Sequence, residues 1–232
     1  MEKRNCPMKF SNRIWELDSL RGLAILLMVM FHLIFDLNAF YQIPIPYEQG
    51  PIYYVGKAAA VLFIFVAGVS CTLSRNNVKR GIKLVLWGMV ITLVTSIVVP
   101  GSNIIFGILH FLGVSILLYP LFKKLNPMSM LLLGTIIILS GTLLDHISMS
   151  NNWLAPLGLV AKSFFSLDYY PLIPWFGLFL YGVAGGQMLY REKKSLFHFR
   201  PKRSLLSTLG QHSLFIYLIH QPVILLFLYL FF

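Results

Sequence analysis

Seven long apolar stretches dominate this sequence, and they constrain its fold more than any other feature. A helix needs about 20 mostly apolar residues to cross the ~30 Å hydrocarbon core of a bilayer. Such stretches lie at residues 19–39, 53–74, 81–99, 104–122, 128–146, 172–190 and 212–231. Hydrophobic residues make up 57% of the chain and charged residues only 12%, unlike a soluble domain. The pattern predicts an all-α, polytopic membrane protein with about seven transmembrane helices, in a single domain covering residues 1–232.

The basic residues indicate how these helices are oriented. The chain holds 19 Lys and Arg against 8 Asp and Glu, and the net charge of +11 by itself would also suit a nucleic-acid-binding protein. Sixteen of the nineteen fall on alternate connections: an N-terminal tail (1–15), the connections after the second and fourth stretches, and a basic loop (191–203). Because cytoplasmic loops carry the excess of Lys and Arg, we expect a cytoplasmic N-terminus and a C-terminus outside. We therefore expect a multi-pass protein of the plasma membrane whose partner is the lipid bilayer, not nucleic acid.

The first apolar stretch carries four ionisable residues on one face. Asp18, Arg21, His32 and Asp36 fall within about 60° of one another on a helix, so they form one polar stripe. Ionisable groups at membrane depth are costly and mark functional sites. Asp18 and Arg21 are spaced for a salt bridge, and an imidazole one turn from a carboxylate is typical of a general base. We predict His32 as the catalytic base, oriented by Asp36; a second structural ion pair is the alternative.

Two later stretches supply side chains for the same pocket. His110 lies about as far from the cytoplasmic end of its helix as His32 does, so both are expected at one depth. In the last stretch Tyr217 and His220 share a face, with Gln221 beside it. We predict these residues as secondary pocket residues. Hydrogen bonding between helices or to a backbone carbonyl is the alternative that the spacing leaves open.

The segment SLDYYPLIPWFG, before and into the sixth stretch, combines an acid with aromatic residues. Tyr169 and Trp175 suit the aromatic belt at a membrane–water interface. Beside Asp168 they also form an acidic, aromatic rim of the kind that holds a sugar or an amine, so we predict these three as acceptor-binding residues. Lys57, near the start of the second stretch, is expected to extend toward water.

Motifs for several other chemistries are absent from the sequence. The chain has no Walker loop, no HExxH and no GxSxG, and its two cysteines exclude a disulfide scaffold and a cysteine-built metal site. The histidines and acids show no diagnostic ligand spacing. We predict no metal site.

Four segments of the chain resemble motifs of one known family. RIWELDSLRGLAILLMVMFHLIFDL (13–37) looks like the opening signature of the heparan-alpha-glucosaminide N-acetyltransferase catalytic-domain family, which belongs to the transmembrane acyltransferases. FGILHFLGVS (106–115), DYYPLIPWFGLFLYGVAGG (168–186) and LGQHSLFIYLIHQP (209–222) resemble later motifs of its small bacterial members. The resemblance keeps the family's order and covers most of the chain.

This resemblance implies transfer of an acetyl group from cytoplasmic acetyl-CoA, a co-substrate, to an acceptor at the outer face. The acceptor would be a small molecule or glycan with an amine or hydroxyl; in the lysosomal relatives it is the terminal glucosamine of heparan sulfate. His32 would deprotonate the acceptor, and Asp168 with its aromatic neighbours would orient it. Arg21 or the pair Arg80 and Lys83 would hold the phosphates.

The sequence departs from the family pattern in two places. Eukaryotic relatives have an Asn where His32 stands and place their essential histidine later, just outside the first span; here that region, AFYQIPIPYEQGP, has no histidine. Larger relatives have more spans, so part of the acyl-CoA cavity is missing or comes from a second subunit, which leaves a homodimer open. Two other functions also stay open: a non-catalytic membrane subunit that keeps the family fold, and a proton-coupled carrier or channel.

Overall fold

α-Helices make up most of the described structure. A computed structural model describes residues 13–99, 103–144, 146–199 and 204–231. Within these ranges the α-helices are α1 (Trp15–Tyr41), α2 (Gly50–Leu73), α3 (Asn77–Val98), α4 (Ile108–Phe122), α5 (Pro127–Leu144), α6 (Leu172–Leu189), α7 (Leu205–Gln211) and α8 (Ser213–Phe231). The predicted tail (1–15) and basic loop (191–203) lie partly outside the described residues.

Six helices in the described ranges are long and apolar enough to cross a membrane: α1, α2, α3, α5, α6 and α8. They confirm an all-α, polytopic membrane protein, with boundaries within a few residues of those predicted. The predicted span 104–122 differs, because its helix α4 has only 15 residues. That length is about 22 Å, less than the ~30 Å of a bilayer core.

Contacts with distant parts of the chain set where α4 begins. The N–H of Tyr170 donates to the carbonyl of Phe106 (2.9 Å), and the hydroxyl of Thr92 donates to the carbonyl of Ile104 (2.6 Å). These bonds hold residues 104–107 outside any helix, alongside α3 rather than beyond its end. Helix α4 therefore begins at Ile108, inside the bundle.

Most basic residues of the described ranges lie at one end of the helix bundle. The starts of α1, α3 and α5 and the ends of α2, α4 and α6 lie at this end, which we call the basic end; the other is the opposite end. Arg21 and Arg80 both bind Ser70, and the side chain of Gln187 donates to the carbonyl of Leu125. These bonds join α1 and α3 to α2, and α6 to the connection between α4 and α5, at the basic end.

The core of the bundle lies among α2, α4, α5 and α6. Its fully buried side chains include Ile64, Phe111, Met130, Phe179 and Leu180. Outside this core, Leu93, Ile97, Leu132 and Leu226 are each more than half exposed. Soluble monomers rarely expose an apolar surface of this extent, so we assign it to lipid.

Glycines allow α2 and α6 to approach each other closely. A Cβ on Gly182 of α6 would collide with the carbonyl of Phe65, and one on Gly68 of α2 would collide with the carbonyl of Phe179. Gly186 faces the side chain of Thr72 in the same way. The spacing of Gly182 and Gly186 is typical of close helix packing in membranes, and both glycines lie at such a contact here.

Helices α7 and α8 form a helix–turn–helix beside α1. Gly210 of α7 lies against the carbonyl of Asp18, and Gly22 of α1 lies against the carbonyl of Leu206. Helix α8 then runs along α1 toward the opposite end. The polar residues of α8 consequently face the polar stripe of α1.

Candidate active site

Two cavities lie inside the bundle, one nearer each end. The basic cavity, about 900 Å³ in volume, is lined by six cationic side chains of the described residues: Arg13, Arg21, Arg75, Arg80, Lys83 and Lys193. The aromatic cavity, about 550 Å³, is lined by His32, Tyr53, Asp168, Tyr169, Tyr170 and Trp175 together with apolar residues. Both volumes are typical of small-molecule sites.

An ion pair and a serine position two arginines of the basic cavity. Arg21 donates to Oδ1 of Asp18, which confirms the predicted salt bridge, and its other terminal nitrogen donates to Oγ of Ser70. Arg80 donates to the carbonyl of the same serine (3.4 Å). Asp18 is the one acidic residue that the structure places in this lining. The cavity therefore keeps an excess of positive charge, which suits a ligand that carries several phosphates.

The basic loop is fastened to the start of α1. The carboxylate of Glu16 accepts hydrogen bonds from Oγ of Ser195 (2.9 Å) and from the N–H of Leu196 (2.8 Å). Lys193, two residues before Ser195, lines the basic cavity. The hydrogen bonds to Glu16 thus position the loop so that Lys193 lies in the cavity wall.

The three residues predicted to bind an acceptor all line the aromatic cavity. Asp168, Tyr169 and Trp175 lie in its wall, and the hydroxyl of Tyr169 donates to the carbonyl of Ala155 (2.7 Å), which fixes the tyrosine ring. The ring of Trp175 packs against Tyr170, with centroids 5.1 Å apart. Their acceptor-binding role stays a prediction.

Lys57 lies at the edge of the aromatic cavity. Its side chain is exposed, and its ammonium lies 5.4 Å from the ring centroid of Tyr53 and 5.3 Å from that of Trp175. These distances are within the range of cation–π attraction. A cation and an acid, Lys57 and Asp168, therefore line the same cavity.

His32 lines the aromatic cavity, and His220 of α8 lies beside it. The two ring centroids are 4.9 Å apart. Nδ1 of His220 is 2.6 Å from the carbonyl of Tyr217, and because a carbonyl can only accept, Nδ1 carries a proton. In the neutral ring Nε2 is then a proton acceptor, and this buried atom has no hydrogen-bond partner among the described residues. Of the two imidazoles, only that of His32 belongs to a cavity lining among the described residues, and His220 contacts it from α8.

Asp36 binds Gln221 rather than His32. The amide nitrogen of Gln221 donates to both carboxylate oxygens of Asp36 (2.8 Å each), and within the described residues no hydrogen bond joins Asp36 to His32. The predicted orientation of His32 by Asp36 is corrected on this point. Helix α8 presents an amide donor to the carboxylate, and the fully buried Asp36 anchors α8 to α1.

The side chain of His110, in α4, packs against α3. Among the described residues, His110 belongs to neither cavity lining. Its Nε2 is 3.5 Å from Oγ1 of Thr92, and its ring stacks on Phe106. Gly88 leaves room for the imidazole, because a Cβ there would lie 2.9 Å from Nδ1. The structure thus brings His220, and not His110, next to His32.

Asp168 links the start of α4 to α8. Its Oδ2 accepts hydrogen bonds from the N–H of Ile108 (2.9 Å) and from the hydroxyl of Tyr217 (3.5 Å). A carboxylate at a helix N-terminus is favoured by the free N–H groups and the helix dipole. Burial nevertheless raises the pKa of Asp168 to about 6, since the charged form loses its solvation; the hydrogen bonds from Ile108 and Tyr217 oppose this rise.

Among the described residues, three line both cavities: Phe63 of α2, Ile108 of α4 and Tyr217 of α8. We call these three residues the partition. The sequence identified Tyr217 as a pocket residue but not Phe63 or Ile108, because an apolar residue in an apolar helix carries no distinguishing signal. Ser70 was missed as well, although a serine within an apolar span could have indicated a polar contact.

The sequence from residue 13 to residue 222 matches the model of one protein family, described as heparan-alpha-glucosaminide N-acetyltransferase, catalytic. No curated protein and no solved structure matches the chain. The matched range includes both cavities and the partition.

Proposed function

Because this chain belongs to the heparan-alpha-glucosaminide N-acetyltransferase catalytic family, we propose that it uses cytoplasmic acetyl-CoA to acetylate an acceptor outside the plasma membrane. The acceptor is an amino sugar or another cell-envelope molecule with an amine or hydroxyl. One observation carries the proposal: a cavity rich in cations and a cavity with imidazole and carboxylate groups meet at three shared residues, Phe63, Ile108 and Tyr217.

The basic cavity is the proposed donor site. Arg80 and Lys83 belong to its wall, and Arg21 is held there by Asp18 and Ser70. These cations attract the phosphates of CoA, and the arginines can form paired hydrogen bonds to phosphate oxygens. The thioester end of the donor then points toward the partition.

The aromatic cavity is the proposed acceptor site. Oδ2 of Asp168 accepts hydrogen bonds from Ile108 and Tyr217. The other carboxylate oxygen, Oδ1, receives no hydrogen bond from the described residues. That oxygen can accept a hydrogen bond from the hydroxyl or amine of an acceptor. Tyr169 and Trp175 offer ring surface to the apolar face of a sugar.

Acetyl transfer in this arrangement is a direct displacement at the thioester carbonyl. The acceptor nitrogen or oxygen forms a bond to the carbonyl carbon, and the carbon–sulfur bond breaks. The imidazole of His32 takes the proton that the acceptor loses, and CoA leaves as a thiolate that is reprotonated. His220 is in ring contact with His32 but lines neither cavity among the described residues, so we assign the base to His32.

The test is acetyl transfer from radiolabelled acetyl-CoA to glucosamine by purified protein. His32→Ala should lower the rate by ~100-fold or more, because general-base catalysis contributes 10²–10⁴-fold. The matched control is His198→Ala, since His198 is exposed and outside both cavity linings. Undiminished transfer by the His32 variant would contradict the assigned role of His32.

A liposome experiment separates the enzyme from the two other functions. Consumption of acetyl-CoA with no net movement of solute supports the enzyme, whereas solute uptake without acetyl-CoA consumption supports a carrier. A melting temperature that acetyl-CoA does not raise supports a non-catalytic subunit, because a ligand of the native state must stabilise it.

A further inference from the structure

We propose that the partition sets the length of acyl group that the protein transfers, and that Asp168 positions the partition. This inference rests on the proposed acyl transfer. The juxtaposition behind it is specific: one oxygen of Asp168 binds the backbone of Ile108 and the hydroxyl of Tyr217, two of the three residues that separate the cavities.

The partition lies at mid-depth in the bundle. Phe63 is ten residues from the end of α2 at the basic end, or about 15 Å, and Ile108 begins α4 inside the bundle. A donor held in the basic cavity therefore presents its acyl group at the partition. An acyl chain longer than acetyl must extend past Phe63 and Tyr217 into the aromatic cavity, where the acceptor binds.

Two further contacts fix the position of Asp168: hydrogen bonds made by Ser166 and close packing against Gly107. Oγ of Ser166 donates to the carbonyl of Asp168 (2.9 Å) and accepts the N–H of Ile105 (3.1 Å). At Gly107 any Cβ would collide with Oδ2 of Asp168, so the glycine permits the close approach of the carboxylate to α4. The position of Asp168, and through it that of Tyr217, is thus fixed from the side of α4.

The first test compares acetyl-, butyryl- and hexanoyl-CoA as donors. Each methylene that a pocket cannot accommodate costs ~10-fold or more in kcat/KM, so the native protein should strongly favour acetyl. Phe63→Ala should raise the ratio of hexanoyl to acetyl transfer by at least ~10-fold. Phe65→Ala is the matched control, because Phe65 lies on the same helix, is partly buried and lines neither cavity in the described residues. An unchanged ratio in the Phe63 variant, or an equal change in both variants, overturns the proposal.

The second test examines Asp168 with a conservative rescue. Asp168→Ala should relax the donor preference as Phe63→Ala does, because Tyr217 and Ile108 lose their common acceptor. Asp168→Asn keeps a side-chain oxygen that can accept both hydrogen bonds and should restore the preference for acetyl. A general structural defect would lower all donors together and leave the ratio unchanged, which would contradict a positioning role.

A third test does not depend on catalysis. Val160, in the wall of the aromatic cavity, is replaced by Cys in a background with Cys6→Ser and Cys71→Ala. An anionic, membrane-impermeant thiosulfonate is then applied to intact cells and to inverted vesicles. The reagent should label Val160→Cys from the opposite end alone, and from both ends once Phe63→Ala is added.

The labelling result separates failure of this inference from failure of the proposed function. Labelling from both ends with Phe63 intact, or from one end in every variant, means that the three residues do not separate the cavities. If labelling follows the expected pattern but acetyl-CoA is never consumed, the partition stands and the proposed acyl transfer does not.

Discussion

Arg80 reaches from the start of α3 to the end of α2 and into the basic cavity. It donates to the carbonyl of Ser70 and to Oδ1 of Asn77, both at 3.4 Å, and lines the cavity with Arg21. Long hydrogen bonds to neutral groups leave most of its charge available to a ligand. Loss of Arg80 should therefore weaken donor binding with little damage to the fold.

Arg80→Gln should weaken acetyl-CoA binding by ~10- to 100-fold, because a hydrogen bond to a charged group is worth ~1.5–3 kcal/mol. The measurement is the concentration of acetyl-CoA that each variant needs for the same rise in melting temperature, because that rise depends on the ratio of ligand concentration to Kd. Lys79→Gln is the control, since Lys79 is exposed and outside the cavity lining. Equal affinities for Arg80→Gln and the native protein would exclude Arg80 from the donor site.

Asp168 should make the stability of the protein depend on pH. Its pKa is raised from 3.8 to about 6 by burial, so between these values the folded protein retains a proton that the unfolded chain has released. The stabilisation is complete below pH 3.8 and is lost as the pH rises through about 6. Between pH 4 and pH 7 the melting temperature should therefore fall less in Asp168→Asn than in the native protein. Glu192→Gln, at an exposed carboxylate, is the control variant. If Asp168→Asn showed the same dependence of melting temperature on pH as the native protein, Asp168 would not titrate in this range.

Single residues were predictable from the sequence where a polar side chain lies in an apolar helix. Asp18, Arg21, His32 and Tyr217 all face a cavity, as the polar stripe and the helical spacing indicated. The partner of Asp36 was not predictable, because Gln221 comes from a helix 185 positions later in the chain. Spacing along one helix finds neighbours on that helix only.

At the scale of helices, close backbone contact joins α2 and α6, two helices of the core. Gly182 of α6 lies directly against the carbonyl of Phe65 of α2, whereas a Cβ on Gly185 would meet only the far end of the Phe65 ring, at 3.2 Å. The two glycines share a helix and a neighbour. They differ in whether the neighbouring atom can move.

Gly182→Ala should lower the stability in detergent by ~1–3 kcal/mol, because the backbone of α2 must shift to admit the methyl group. Gly185→Ala should be neutral or slightly stabilising, since the phenyl ring can rotate away and alanine favours the helix. Melting temperatures of the two variants provide the comparison. Similar values for both would contradict the close α2–α6 contact.

The helices were predictable from the sequence wherever local composition alone determines where a helix begins and ends. The apolar stretches gave the six long helices within a few residues, because length and hydrophobicity alone define a span. The start of α4 was placed four residues too early, at 104 instead of Ile108. Bonds to Tyr170 and Thr92 determine that start, and no local pattern reports them.

At the scale of the whole molecule, the positions of the two cavities relate the charge distribution to the proposed reaction. The basic cavity opens among the residues that predict the cytoplasmic side, and the aromatic cavity lies toward the opposite end. A donor and an acceptor can then bind from different compartments and meet at Phe63, Ile108 and Tyr217. The arrangement requires neither substrate to cross the bilayer whole.

The most direct test is therefore acetyl transfer with the two substrates on different sides of a membrane. Protein of known orientation is reconstituted in liposomes, with radiolabelled acetyl-CoA only at the basic end and glucosamine only at the opposite end. Our account predicts labelled N-acetylglucosamine in the glucosamine compartment, and loss of that product with His32→Ala. Product formed only when both substrates share one compartment, or no acetyl-CoA consumed in any arrangement, would contradict it.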